Sequence, residues 1–449
     1  MEAIFEKTPA RQSSLVPMAI VGGLFFVFGF VTWLNGSLIP FLKIACELNH
    51  MEAYLVTMAF YIAYTVMALP VSRVLKRTGY KNGMVYGLLV MAVGAVIFIP
   101  AAQERVFGIF LVALFILASG LTLLQTAANP YIVLLGPKET AAVRISIMGL
   151  LNKSAGIIAP IVFTAFVLSD MSQFDETRLA ALDEVKRNVE LADLSSRLVM
   201  PYIVMAIMLT ILALLIKLAP LPEPVLEDDD TSNNERWAIL RFPQLIFGAL
   251  TLFFYVGVEV IAGDTIGLFG QEMGVSNFGQ LTSYTMAFMV AAYITGMIVI
   301  PRFISQETAL ALSGALGIVL TLLLLSSSTD SANVWQVLFA WTGVPEIPNV
   351  VLYVALLGFA NALVWPAIWP MALDGLGKHT STGSALLIMG ISGGALMPMI
   401  YGYLVESSGN SQSAYWIMLP CYLAILWYAI QGHKITQWSV NKRGGLYEN

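Results

Sequence analysis

The sequence predicts an all-α integral membrane protein of twelve transmembrane helices, arranged as two pseudo-symmetric six-helix bundles. Three observations predict it. Of 449 residues, 58% are hydrophobic and only 11% charged, where a soluble domain carries roughly 25% charged residues; mean hydropathy is +0.79. The apolar residues fall into twelve runs, each close to the ~20 residues that cross a bilayer as a helix. A Pro- and Asp-rich stretch, 219–241, divides those runs six and six.

The runs occupy 16–42, 51–73, 82–101, 106–135, 143–168, 199–218, 242–270, 278–301, 306–326, 349–374, 379–405 and 412–432. Runs of this length are helices, because barrel strands would be ~10 residues long with alternating polarity. The first run exceeds a signal-peptide apolar region and no small-residue cleavage site precedes it, so it is retained as a helix. Residues 1–218 form the first bundle. Residues 219–241, with Asp228–Asp230, form a cytoplasmic linker, and 242–449 form the second bundle and a short cytoplasmic tail.

Lys and Arg orient the chain. One side carries Lys7, Arg11, Arg73, Lys76, Arg77, Lys81, Lys138, Arg144, Lys217, Arg236, Arg241, Arg302, Lys378, Lys434, Lys442 and Arg443. The other carries Lys43, Arg105 and four residues of one long charged loop, 169–198, which weighs little because long loops translocate regardless of charge. Both termini are therefore expected on the cytoplasmic face of an inner (plasma) membrane, with the lipid bilayer as a partner.

Several function classes drop out. No basic patch interleaved with aromatics is present, so nucleic acid is not a partner. Cys46 and Cys421 cannot build a disulfide framework. His50, His379 and His433 lie in or near loops without metal-ligand spacing, so no metal site is expected. A phosphate-binding Gly-rich loop and a nucleophile–base constellation are both missing, which argues against ATP-driven pumping and against an enzyme. No cofactor is expected, only a possible coupling ion, H⁺ or Na⁺.

Isolated charges inside apolar runs point to transport. Lys153 lies mid-run between Ile145 and Leu168. A charge at a helix centre costs at least ~2.5–3.5 kcal/mol, so such residues mark substrate or ion pathways. Glu259 and Asp264 share that predicament in the seventh run. They are five apart and diverge by roughly 140° on a regular helix, unless Gly263 and Gly267 break it. Glu259 is the better candidate for coupling or sugar binding. Asp264 falls near the external mouth, where a solvated acid is the plainer alternative.

Polar side chains complete the candidate cavity. Gln125 and Asn129, four apart, share one face of the fourth helix, and Pro130 frees the Thr126 carbonyl as a spare acceptor. Amides suit sugar hydroxyls, which both donate and accept; the alternative is glue between helices. On the tenth helix Asn361, Trp365 and Trp369 follow at i, i+4 and i+8. A flat indole is a platform for a pyranose ring, and ligand pockets join such walls to a few polar groups; the alternative is a core or lipid-facing tryptophan. Asn152 precedes Lys153 on the fifth helix, and Asn35 sits in the first. For Lys153 the alternative is a structural ion pair.

The two halves repeat weakly. Gln125-Thr-Ala-Ala-Asn129-Pro130 aligns with Trp365-Pro-Ala-Ile-Trp369-Pro370 at an offset of 240. Leu24-Phe-Phe-Val-Phe-Gly29 aligns with Leu252-Phe-Phe-Tyr-Val-Gly257 at an offset of 228, which sets Gly36 against Asp264. Repeats at symmetrical places are the mark of secondary transporters and point to the major facilitator architecture.

Four stretches, Phe25-Phe26 to Trp33-Leu34-Asn35-Gly36-Ser37-Leu38-Ile39-Pro40, Arg77-Thr-Gly79-Tyr80-Lys81-Asn-Gly83, Gln125 to Pro130 and Tyr255-Val-Gly257-Val-Glu259-Val, resemble the fucose–proton symporter and glucose–galactose porter family of that superfamily. The resemblance implies import of a hexose or 6-deoxyhexose by alternating access, with the substrate bound between the halves. It also implies an acid where this chain has Gly36 and, in the fucose branch, an acid where it has Gln125. Gln125 and Glu259 resemble the glucose–galactose branch instead. The coupling acid is therefore expected to have moved to the seventh helix, as Glu259 and Asp264, with Lys153 as counter-charge.

The expected substrate is a glucose- or galactose-type hexose or an N-acetylhexosamine, bound by Asn35, Gln125, Asn129, Asn152, Lys153, Glu259, Asn361, Trp365 and Trp369 in a chain that works as a monomer. The alternatives are an uncoupled sugar uniporter and a transporter-like membrane sugar sensor. The ~17-residue tail, too short to recruit a signalling partner, argues against the sensor. A drug or lipid exporter would predict an apolar cavity in place of the fourth-helix amides.

Overall fold

A computed structural model describes residues 15–134, 141–168, 178–179, 181–221, 237–300 and 302–438. Every regular element among them is helical. Eleven helical segments are long and apolar enough to cross a membrane. The remaining run, expected at 51–73, is the first part of the continuous helical stretch His50–Glu104. That stretch is two helices: Gly79 takes φ 76°, ψ 176°, a conformation open to glycine, and divides 50–78 from 80–104. Twelve spans result, with the fourth at Phe107–Leu134, the fifth at Ala141–Val167 and the ninth at Gln306–Ser326.

The chain divides into two compact units, Met1–Asn35 with Val66–Leu226, and Gly36–Thr65 with Glu227–Asn449. The end of the first helix and the start of the second thus pack with the second half of the chain. Most of the expected linker, 222–236, and the expected loop residues 169–177 lie outside the described residues, as do Lys138 and the tail beyond 438.

In the first unit the third and fourth helices touch backbone to backbone. A Cβ on Gly94 would stand 2.5 Å from the Leu117 nitrogen, and one on Gly120 2.5 Å from the Gly87 carbonyl oxygen. Small residues allow such approach, which drives helix association where lipid offers no hydrophobic gain. Arg144, buried at the start of the fifth helix, donates from Nε to the Ile132 carbonyl at 2.9 Å, satisfying an acceptor in the last turn of the fourth. The sixth helix, Val199–Leu218, buries Tyr202, Ala206, Leu209, Ala213 and Ile216, one stripe at helical spacing. Its other faces expose Met200, Val204, Ile207, Met208, Ile211, Leu214, Leu215 and Leu218, a surface suited to acyl chains.

In the second unit several spans are interrupted, among them the seventh, tenth and eleventh. The seventh passes from Pro243–Val260 through a π-helical turn, Ile261–Thr265, into Ile266–Glu272. The tenth breaks between Asn349–Asn361 and Val364–Leu373. The eleventh passes through a 3₁₀ turn at Gly390–Ser392. Broken helices at membrane depth are tolerated where other groups re-satisfy the backbone. Here the groups can be named. Thr282 donates to the Gly263 carbonyl at 2.7 Å, Thr285 to that of Ala262 at 3.1 Å and Thr265 to that of Ile261 at 2.7 Å.

Candidate functional site

In the first unit the polar groups gather on Trp33. A Cβ at Gly29 would overlap the Asn152 carbonyl, so the first and fifth helices meet at their backbones there. Trp33, one turn on along the same face, is thereby carried onto the fifth helix. Its Nε1 donates to Asn152 Oδ1 at 3.4 Å, and Asn152 Nδ2 donates to the Phe25 carbonyl at 3.4 Å. The Lys153 ammonium stands 4.2 Å from the Trp33 ring centre, and Lys153 is 8% exposed. A desolvated cation–π contact contributes about 2 kcal/mol, which offsets much of the cost of a charge at this depth.

Trp33 is a residue that the reading of isolated charges passes over. The signal was its i+4 spacing from Gly29. Asn35 follows a one-residue break at Leu34 between helices Leu15–Trp33 and Asn35–Ala45. It is buried, and its Nδ2 has no hydrogen-bond partner among the described residues.

The fourth helix holds Gln125 half-buried and Asn129 exposed. The hydroxyls of this stretch turn back onto their own helix: Ser119 donates to the Phe115 carbonyl at 2.6 Å, Thr122 to Ala118 at 2.8 Å and Thr126 to Thr122 at 2.7 Å.

In the second unit Glu259, 8% exposed, is hydrogen-bonded to the Tyr255 hydroxyl one turn earlier. The Tyr255 ring lies 6.3 Å from that of Trp365, and Trp365 lies 5.6 Å from Trp369 at a tilt of 47°. The Tyr422 hydroxyl donates to Asn361 Oδ1 at 2.9 Å. Asn361 is fully buried, and neither its Nδ2 nor the Trp369 Nε1 has a hydrogen-bond partner among the described residues. The structure thus links Glu259, Trp365 and Trp369 through Tyr255. A two-residue turn at 362–363, its backbone still in the right-handed helical region, lies between Asn361 and the two tryptophans. Tyr255 was findable from its i−4 spacing to Glu259. Nothing local signals Tyr422, sixty-one residues from its partner.

Asp264 departs furthest from expectation. It is 0% exposed, which excludes the solvated acid at a mouth. The π-turn interposed after Val260 also replaces the 140° divergence from Glu259 expected on a regular helix. Its Oδ2 accepts from Thr57 Oγ1 at 3.3 Å, and its Oδ1 has no hydrogen-bond partner among the described residues. π-Turns occur mostly as single insertions within α-helices, frequently at functional sites.

No cluster of three or more His, Cys, Asp or Glu suited to a metal ion occurs among the described residues.

The Major Facilitator Superfamily profile matches residues 21–386. The glucose/galactose transporter of Brucella abortus biovar 1 (strain 9-941) is 34% identical over 419 residues, covering 92% of each chain. The L-fucose-proton symporter of Escherichia coli (strain K12) is 27% identical over 438 residues, covering 95% of each. The crystal structure of the E. coli fucose:proton symporter superposes with a TM-score of 0.70 at 25% identity, covering 93% of this chain and 98% of that one.

Proposed function

Because this chain belongs to the major facilitator superfamily, we propose that it imports a hexose of the glucose/galactose type, or an N-acetylhexosamine, by alternating access coupled to H⁺ or Na⁺. The observation that carries the substrate class is the pairing in the second unit of two tilted indoles with two buried, unpartnered N–H donors, on Asn361 and Trp369. An indole wall and donors without acceptors suit a ring with one apolar face and several hydroxyl oxygens. Glu259, held by Tyr255, supplies the acceptor for hydroxyl protons. Within the first unit, Asn35, Gln125, Asn129, Asn152 and Lys153 are read as substrate-binding residues. The resemblance to glucose/galactose transporters along nearly the whole chain supports the same substrate class.

Coupling is assigned to Glu259 and Asp264, the buried acids of the seventh helix. The protein is read as a monomer in the bacterial inner membrane with both termini cytoplasmic, following its Lys and Arg distribution. Uptake of radiolabelled glucose, galactose, fucose and N-acetylglucosamine into proteoliposomes, with Na⁺ and proton gradients imposed separately, tests the reading. Accumulation above equilibrium with one ion supports it and names the ion. Uptake that only equilibrates identifies a uniporter, and uptake of no sugar overturns the substrate class.

A further inference from the structure

Residues 36–65 are seated on the second half of the chain with an unusually tight fit around Asp264. Ser37, fully buried, donates from Oγ to the Gly279 carbonyl at 2.6 Å. A Cβ at Gly36 would overlap the Thr282 hydroxyl and stand 2.8 Å from the Gly263 oxygen, next to Asp264 in sequence. A Cβ at Gly267 would stand 2.8 Å from the Gly36 oxygen, and one at Gly394 2.9 Å from the Tyr61 ring. Tyr54 packs edge-on to Tyr401 with centroids 5.6 Å apart. Around this carboxyl, itself 0% exposed, the helices pack closely, and lifting residues 36–65 would open it to water.

The titratable groups around Asp264 are Glu259 on its own helix and Tyr54 and Tyr61 on the second. Next to Tyr54 come Tyr401 and Tyr415 of the eleventh and twelfth helices and Glu272 at the end of the seventh. On the same segment Lys43 closes the last turn of Asn35–Ala45, and His50 faces Glu272 at 3.3 Å. The Tyr415 hydroxyl is engaged with Thr265 at 2.7 Å. What Asp264 receives is one hydroxyl, from Thr57.

We propose that Asp264 and Thr57 form a proton-operated latch, in which the protonated acid holds residues 36–65 docked and loss of the proton releases them. This deepens the transport reading above, on which its physiological sense rests, by naming the acid that senses the proton and the segment it controls. An anion here would be served by a single hydroxyl, with its second oxygen unpartnered, and burying a charge in that way is costly. The neutral acid tolerates the site. Lifting the segment hydrates the carboxylate, so the docked state binds the proton and the lifted state releases it. By linkage, each biases the other to the same degree.

The test reads the latch without sugar, so its failure is separable from failure of the transport reading. Ser37→Cys is made with Cys46→Ser and Cys421→Ser, and the purified protein is labelled with a maleimide from pH 5.5 to 8.5. A buried thiol labels only when the segment lifts. The identical protein carrying Asp264→Asn supplies the pH dependence of the thiol itself. Beyond that reference, labelling is expected to rise with pH by up to roughly tenfold per unit, the limit for one linked proton. Thr57→Val, which removes the carboxyl's donor and weakens docking, moves the rise to lower pH and serves as a second variant if Asp264→Asn does not fold. The proposal is overturned if labelling follows the same pH course in Asp264→Asn and the parent. It is equally overturned if Thr57→Val leaves the midpoint in place, or if Na⁺ at fixed pH drives the change and pH does not.

Discussion

The Lys153 ammonium rests 4.2 Å from the centre of the Trp33 indole ring, so the charge that stands isolated in the sequence is held on an aromatic face contributed by another helix. This contact gives the first and fifth helices an electrostatic reason to stay together beyond the backbone approach at Gly29. It also limits where the ammonium can reach.

A double-mutant cycle checks the pair. Trp33→Phe keeps a ring and is expected to cost little in Tm, whereas Trp33→Leu removes the π face. Lys153→Met and Trp33→Leu should show a coupling of about 1–2 kcal/mol in thermal stability in detergent. Strict additivity of the two losses would mean that the contact holds nothing.

Gly36 explains why the first helix tolerates no side chain where the family resemblance implies an acid. With the Thr282 hydroxyl in the way of a Cβ, Gly36→Ala should cost about 1–3 kcal/mol of stability, the usual penalty of overpacking. Gly36→Asp should cost more. Thr282→Ala in the Gly36→Ala background should restore part of the loss, since the Gly263 carbonyl remains 2.8 Å from the added carbon. The comparison is read as Tm of the single and double variants. A Gly36→Ala protein as stable as the parent would refute it.

Tyr422 is a positioning residue. Its hydroxyl fixes Asn361 Oδ1 at 2.9 Å and so decides where the Nδ2 donor points. Tyr422→Phe should raise the KM for hexose uptake roughly five- to tenfold, in line with ~1 kcal/mol for a neutral hydrogen bond, with little change in maximal rate. Asn361→Ala should raise KM further and leave no additional effect for Tyr422→Phe. Equal changes in maximal rate and none in KM would place Tyr422 in packing alone.

The helices were legible because hydropathy reports burial in lipid residue by residue. The expected 106–135 is found at Phe107–Leu134, and 306–326 coincides with Gln306–Ser326. The site was legible only in its residue types. Asn361 and Trp369 carry donors without partners among the described residues; Gly263 offered a break in the seventh helix but not its form, a π-turn before Ile266, and the turn at 362–363 of the tenth had no such signal. Such interruptions depend on donors from other helices, as Thr282 and Thr285 supply to the seventh. Periodicity within one helix carries no record of them. The same holds for Thr57, 207 positions from the acid it serves.

The prolines of the fourth and tenth helices each free a carbonyl four residues back, and in the tenth the structure shows what takes it up. Pro370 withdraws the N–H that would have met the Pro366 carbonyl, and Gln306 Nε2 donates to that oxygen at 2.8 Å. The spare acceptor is thus bound by the ninth helix, which ties the two spans at the kink. Gln306→Leu leaves the part-buried oxygen unserved and should lower stability by about 1 kcal/mol, the usual net worth of a hydrogen bond. Pro370→Ala restores the backbone donor, so Gln306→Leu should cost far less in that background. Tm values of the four proteins decide it. If Gln306→Leu is as harmful in the Pro370→Ala background as in the parent, the amide serves something other than the carbonyl that the proline sets free.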